Sequence, residues 1–205
     1  MNFFGHAAVA SWSTPAPGTV LGAMLPDFAT MVRARLGEPT DPSIAAGIDH
    51  HHATDATFHA LPAVLGLMRE LDERLAALGC ARGPRRAVAH IGVELLLDGV
   101  LVDEPAYRDA YATALAHDAA GVRWRDDDGP PRFDTLLVRL RAHGTPDDLR
   151  RTHAITQRLH RMLAHRPLLA PSPSDLAAID KALAGYQTRV EAATDTVLRA
   201  LRGSD

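Results

Sequence analysis

Four of the chain's eleven histidines fall within ten positions, at His50, His51, His52 and His59. In an α-helix, residues four apart drift by only about 40° around the axis. His51, Asp55 and His59 therefore share one broad face, while His50 and His52 point elsewhere. An imidazole and a carboxylate at this spacing form a two-ligand clamp of the kind that suits manganese, iron, zinc or a similar divalent ion. A solvated histidine cluster, or a core histidine satisfied by Asp55, would use the same residues. His90, Glu94 and Asp98 repeat the spacing. Glu94 and Asp98 interrupt IGVELLLDGVLV, the most apolar helical stretch in the chain. Buried carboxylates must be paired, protonated or bound to a cation. An arginine salt bridge, a helix less buried than it reads, or a metal would each account for them. His90 fits a ligand, a group that orients a ligand from behind, or an ordinary buried histidine.

Two more polar residues stand in apolar surroundings: His6 in FFGHAAVA, and Asp27 beside Pro26 in VLGAMLPDF. Asp27 also reads as a cap after a proline break, and His6 as a packed histidine. Taken with the other residues, they let four helices each offer an oxygen or imidazole inward, the form of a metal site in a helical bundle.

The elements that must position these groups are helical. Leu, Ala and Val recur at three- and four-residue intervals and strict alternation is nearly absent, so the fold class is all-α, with about eight or nine helices. A first helix spans Asn2 to about Trp12 and ends in the breaker run Ser13 to Gly18. A second reaches about Leu36, with Pro26 expected to kink or restart it. Ser43, after Pro42, caps the His-rich helix. Val64, Leu65, Met68, Leu71, Leu75 and Leu78 form one stripe closed by Gly79. Pro84 opens the apolar helix. Helices follow near 105–119 and 133–143, with Trp124–Pro131 as an acidic surface loop between them. Thr145–Asp148 is a capping-box-like start. A last helix from Ser174 carries a stripe from Leu176 to Leu201. No repeat or low-complexity linker argues for a second domain, so residues 1–205 are expected to form one domain.

Composition narrows the function classes. A net charge of −3, with acids interspersed among the arginines, argues against a nucleic-acid footprint. The single cysteine, Cys80, excludes an intrachain disulfide. Apolar runs fall short of the roughly 20 residues a bilayer requires, and the opening residues lack a basic leader region. A cytoplasmic protein is expected.

The order of motifs resembles the acyl carrier protein phosphodiesterase family, distant relatives of the HD-type metal-dependent phosphohydrolases. The residues that carry it are Asn2-Phe3 and His6; Gly18, Leu21 and Asp27-Phe28; Gly47-Ile48, His51 and Asp55; Glu94, Asp98 and Leu101; and His165-Arg166-Pro167. The register is good over the first hundred residues and thin afterwards. The resemblance implies an HD-like helical fold and a manganese-dependent hydrolase that cleaves the phosphodiester between phosphopantetheine and a carrier-protein serine. It implies His6, Asp27, His51, Asp55 and Asp98 as metal or catalytic residues, Glu94 as a family acid, and Arg166 as a phosphate contact. A carrier-protein partner would be acidic, and Arg82, Arg85 and Arg86 form the clearest basic cluster to meet it. The chain departs from the family pattern at His52, where an arginine is expected, at His59, where an aspartate is, and at Gly99, where a histidine is. A tryptophan expected a few residues later is missing.

Phosphoester hydrolysis needs an ion that acidifies water and neutralises phosphoryl charge. His51, Asp55, Asp98 and His6 would hold it, with His90 adding an imidazole. Asp27 or Glu94 would bind a second ion or serve as general base, and His59 would be the proton donor to the leaving oxygen. The competing reading is a helical protein that binds a metal or small ligand without hydrolysing anything. A di-iron bundle would show paired Glu-xx-His motifs, which are absent from the sequence.

Overall fold

Apolar residues at helical spacing give ten α-helices in the computed structural model, which describes residues 1–12 and 16–203. They are α1 (Phe3–Ala10), α2 (Pro17–Val32), α3 (Pro42–Ala60), α4 (Pro62–Ala77), α5 (Arg82–Leu101), α6 (Pro105–Ala116), α7 (Gly129–His143), α8 (Thr152–Leu163), α9 (Pro173–Ala184) and α10 (Gln187–Arg202). A 3₁₀ turn covers Asp147–Arg150, and one isolated antiparallel bridge joins Leu36 to Trp124. The all-α expectation holds. The expected breaker residues Ser13, Thr14 and Pro15 lie outside the described residues. No described helix is long and apolar enough to cross a membrane.

The chain divides into two units, one of Asn2–Asp55 with Leu101–Pro146, the other of Met1, Ala56–Val100 and Asp147–Asp205. In the first, α1 packs on α2 and α6, and α2 on α6 and α7. A chain of rings fills this core: Phe3 lies 5.6 Å from Phe28 and 6.0 Å from Tyr111, and Phe28 lies 6.3 Å from Phe133. α2 and α3 approach backbone to backbone. A Cβ on Gly47 would stand 2.1 Å from the Thr19 carbonyl, and one on Gly22 would stand 2.3 Å from that of Ile44. In the second unit, α4 packs against α9 and α10, and α8 against α9 and the 3₁₀ turn. Leucines and β-branched residues dominate there, with Leu67, Leu71, Leu75, Ile179, Leu183, Val190 and Val197 all buried.

Several local expectations are corrected. α2 runs through Pro26 without a break, so Asp27 is a mid-helix residue and not a cap. That helix ends at Val32, where Arg33 takes the left-handed conformation, φ 54° and ψ 47°. The cap of α3 is Asp41, whose carboxylate accepts from both the backbone N–H and the hydroxyl of Ser43. On α4, Val64, Leu71 and Leu75 are buried as expected, but Leu65 is half exposed and Leu67 takes its place in the stripe. Gly79 does close the helix, with φ +79°. α5 begins at Arg82, two residues before Pro84, and α7 takes Gly129-Pro130-Pro131 as its first turn, where the missing proline donors cost nothing. Residues 145–148 lead into the 3₁₀ turn, and α8 starts only at Thr152. The last stripe is split between α9 and α10, which raises the count to ten. At the break, the buried Tyr186 hydroxyl donates to the Leu67 carbonyl at 2.8 Å and to Glu70 at 3.1 Å.

Candidate metal centre

Two groups of ligating side chains emerge among the described residues, one in each unit. In the first, His6 on α1, Asp27 on α2 and His51 on α3 bring ligand atoms within 4.8 Å of one another. The close α2–α3 crossing at Gly22 and Gly47 places His51 against the backbone of α2, where its Nδ1 lies 2.8 Å from the Ala23 carbonyl oxygen. A carbonyl can only accept, so Nδ1 carries the proton and Nε2 keeps its lone pair. The rings of His6 and His51 stack 3.8 Å apart at 28°. His6 is fully buried, and burial pushes its pKa down to about 3, against the opposing pull of Asp55. Burial also lowers His51, again against its hydrogen-bond partner, here the Ala23 carbonyl. Both rings are neutral at pH 7, the state in which imidazole ligates metals. Asp55 Oδ1 lies 3.6 Å from His6 Nε2, a polar contact rather than an ion pair because His6 is neutral.

In the other unit, His59, His90 and Glu94 form the second group. Glu94 Oε1 lies 3.0 Å from His90 Nε2, 3.4 Å from His59 Nε2 and 3.6 Å from the Met1 amino group. Burial alone would raise the Glu94 pKa. The His90 hydrogen bond and the positive Met1 amino group, with His59, outweigh burial and hold it below the usual carboxylate value. α5 is as buried as its sequence suggests, with Val93, Leu95, Leu96 and Leu97 at most 2% exposed. Glu94 therefore meets imidazoles and an amine rather than an arginine. Asp98, one turn on, is fully buried.

His51 and His59, which share a helix face in sequence, thus join different groups. His50 Nδ1 lies 3.3 Å from the Thr54 hydroxyl, and the His52 ring stands edge-on to His51 at 5.4 Å. Arg166 occupies an exposed turn after α8, where its carbonyl accepts from Leu169 and Ala170. Of the basic cluster, Arg85 is paired with Asp72 at 2.9 Å, and Arg82 and Arg86 are exposed. Gly99 has a steric reason to lack a side chain, since a Cβ there would stand 2.3 Å from the Leu149 carbonyl. Sequence reasoning missed Ala23, whose contribution is a backbone oxygen. A backbone oxygen belongs to every residue alike, so no residue type in the sequence signals it.

The donor set fits a divalent transition ion: two neutral imidazoles and a carboxylate converge in the first group, with one ring locked in its ligating tautomer. No curated protein and no solved structure matches the chain. The family model described as acyl carrier protein phosphodiesterase aligns with residues 1–201, well past the first hundred where the motifs read in register, and the chain belongs to that family.

Proposed function

We propose that the protein is a metal-dependent phosphodiesterase that releases phosphopantetheine from the serine of an acyl carrier protein. The observation that carries this reading is the convergence of His6, Asp27 and His51 within 4.8 Å, with His51 oriented by the Ala23 carbonyl. Family membership supports the substrate. These three residues would hold a divalent ion, manganese first among the candidates. When bound, the ion supplies Lewis-acid activation of the phosphodiester and of water at neutral pH. Asp55, beside His6 Nε2, orients that ring and leaves Nδ1 available as donor. Within its own unit, Glu94 is an ionised acceptor flanked by the imidazoles of His90 and His59, the composition of a proton-transfer group. In that group His90 and His59 hold Glu94 in place, with the buried Asp98 as a further carboxylate on the same helix.

The experiment is elemental analysis of the purified chain, followed by release of phosphopantetheine from a phosphopantetheinylated carrier protein with and without added Mn²⁺. Stoichiometric metal together with Mn²⁺-dependent release is expected. A chain that binds metal but releases nothing would instead be a metal-binding member that has lost the reaction.

A further inference from the structure

A groove of about 890 Å³ opens in the unit that carries His6, Asp27 and His51. Its walls include Pro26, Ala29, Leu36, Ala45, Ile48 and His52. Two of these tie it to the metal group: Pro26 directly precedes Asp27, and the His52 ring is edge-on to His51 at 5.4 Å. Another stretch of its lining, Arg33 to Gly37, is pre-built. Arg33 turns the chain out of α2 in the left-handed region, a conformation that a non-glycine residue rarely adopts. The segment it launches is held by Gly37 N–H to Arg123 O at 2.8 Å and Arg125 N–H to Arg35 O at 2.9 Å. Arg35 is further fixed to Asp126 by its backbone N–H at 2.6 Å and its guanidinium at 3.1 Å.

The charge in this groove selects against an anion. Two arginines, Arg33 and Arg35, face three carboxylates, Glu38, Asp49 and Asp126, and one of each sign is already paired. Apolar walls with a compensated rim suit an uncharged chain that carries amides and hydroxyls, at a volume normal for small-molecule sites. We propose that this groove receives the pantetheine arm of the substrate, Ala45 and Ile48 forming its floor and His52 standing where the arm meets the phosphate. The proposal rests on the phosphodiesterase reading above and adds to it the residues that would recognise the arm.

Pantetheine itself, titrated into the ¹⁵N-labelled full chain, tests it directly. Saturable amide shifts are expected at Ala29, Leu36, Ala45 and Ile48. Ala45→Phe and Ile48→Trp should each weaken binding at least tenfold, while Ala110→Phe, in a separate hollow near Ser11 and Val20, should bind as wild type does. Absence of saturable shifts, shifts centred elsewhere, or unchanged affinity in both groove variants would overturn the proposal. The shift map needs no variant, so a poorly folded Ala45→Phe chain leaves the test intact. Pantetheine binding without phosphopantetheine release would sink the reaction and keep the groove. Release without pantetheine binding would do the reverse.

Discussion

His51 donates from Nδ1 to the carbonyl of Ala23 at 2.8 Å, and Ala23 lies three residues before the interior proline of α2. The α2 backbone thus supplies the acceptor that selects the His51 tautomer, and the close approach of α2 and α3 at Gly22 and Gly47 brings the ring within reach of it.

His51→Ala should lower Mn²⁺ affinity at least tenfold, as should His6→Ala, whereas His50→Ala should leave it within twofold. Loss of a ligand removes a bond to the ion, and even partners behind a ligand change affinity by about 10–100-fold. His50 is engaged with Thr54 and belongs to neither group. Calorimetric titration of Mn²⁺ into the four chains, with helicity checked by circular dichroism, measures this. Equal losses in the His50 and His51 variants would refute the assignment.

Gly47→Ala should destabilise the protein by about 1–3 kcal/mol, the usual range for overpacking a tight contact. The new methyl meets backbone on every side, at the Thr19 carbonyl, the Gly22 Cα and the Ala23 nitrogen. α2 and α3 must then separate, and His51 withdraws from the Ala23 carbonyl. Metal affinity should fall along with the thermal midpoint, which distinguishes this substitution from an ordinary core defect in the other unit.

Much of this arrangement was legible in the sequence, and the reasons differ by residue. Glu94 and Asp98 stood out because carboxylates inside an apolar helix need a partner, and both are buried. His6 and His51 were readable as polar residues in apolar or periodic settings. The partition of His59 from His51 was not, because spacing gives an angle around a helix axis but not the neighbours at each level. The break between α9 and α10 was hidden because the apolar spacing runs unbroken through Leu183, Tyr186 and Val190, all buried. The groove was invisible because small residues such as Ala29 and Ala45 leave space without a pattern.

Asp175 should make stability depend on pH in the acid range. It accepts from Ala81 N–H at 2.7 Å and from Ser172 N–H at 2.9 Å, and forms a capping box at the start of α9. Burial raises its pKa, but these hydrogen bonds outweigh burial and hold it below the ordinary value near 3.8. A carboxylate with a depressed folded-state pKa contributes stability that is complete above the unfolded value and is lost as pH falls through the folded one. Asp175→Ala should cost about 2 kcal/mol at pH 7, combining a lost cap with hydrogen bonds to a charged group. The gap between wild type and variant should stay constant from pH 7 to about 5 and shrink below about 4 in urea titrations. The buried Cys80 thiol, pushed up to about 12 by burial and by the adjacent Asp175, should stay unreactive to alkylation in the folded wild type.

Gly99→His, which restores the histidine of the family pattern, should reduce stability rather than activate the enzyme. The 3₁₀ turn already occupies the space, since a Cβ would lie 2.3 Å from Leu149 O and 3.0 Å from its carbonyl carbon. Both are backbone atoms that cannot rotate away, so accommodating the side chain requires the turn to move. Leu149 is itself buried, and shifting it opens the packing under α8. A cost of about 3 kcal/mol, at the upper end for overpacking, should appear as a drop in thermal midpoint. Gly99→Ala should already show most of it, because the clash begins at Cβ. If the histidine variant were as stable as wild type and gained phosphopantetheine release, the glycine would be a lost catalytic position rather than a steric requirement of this chain.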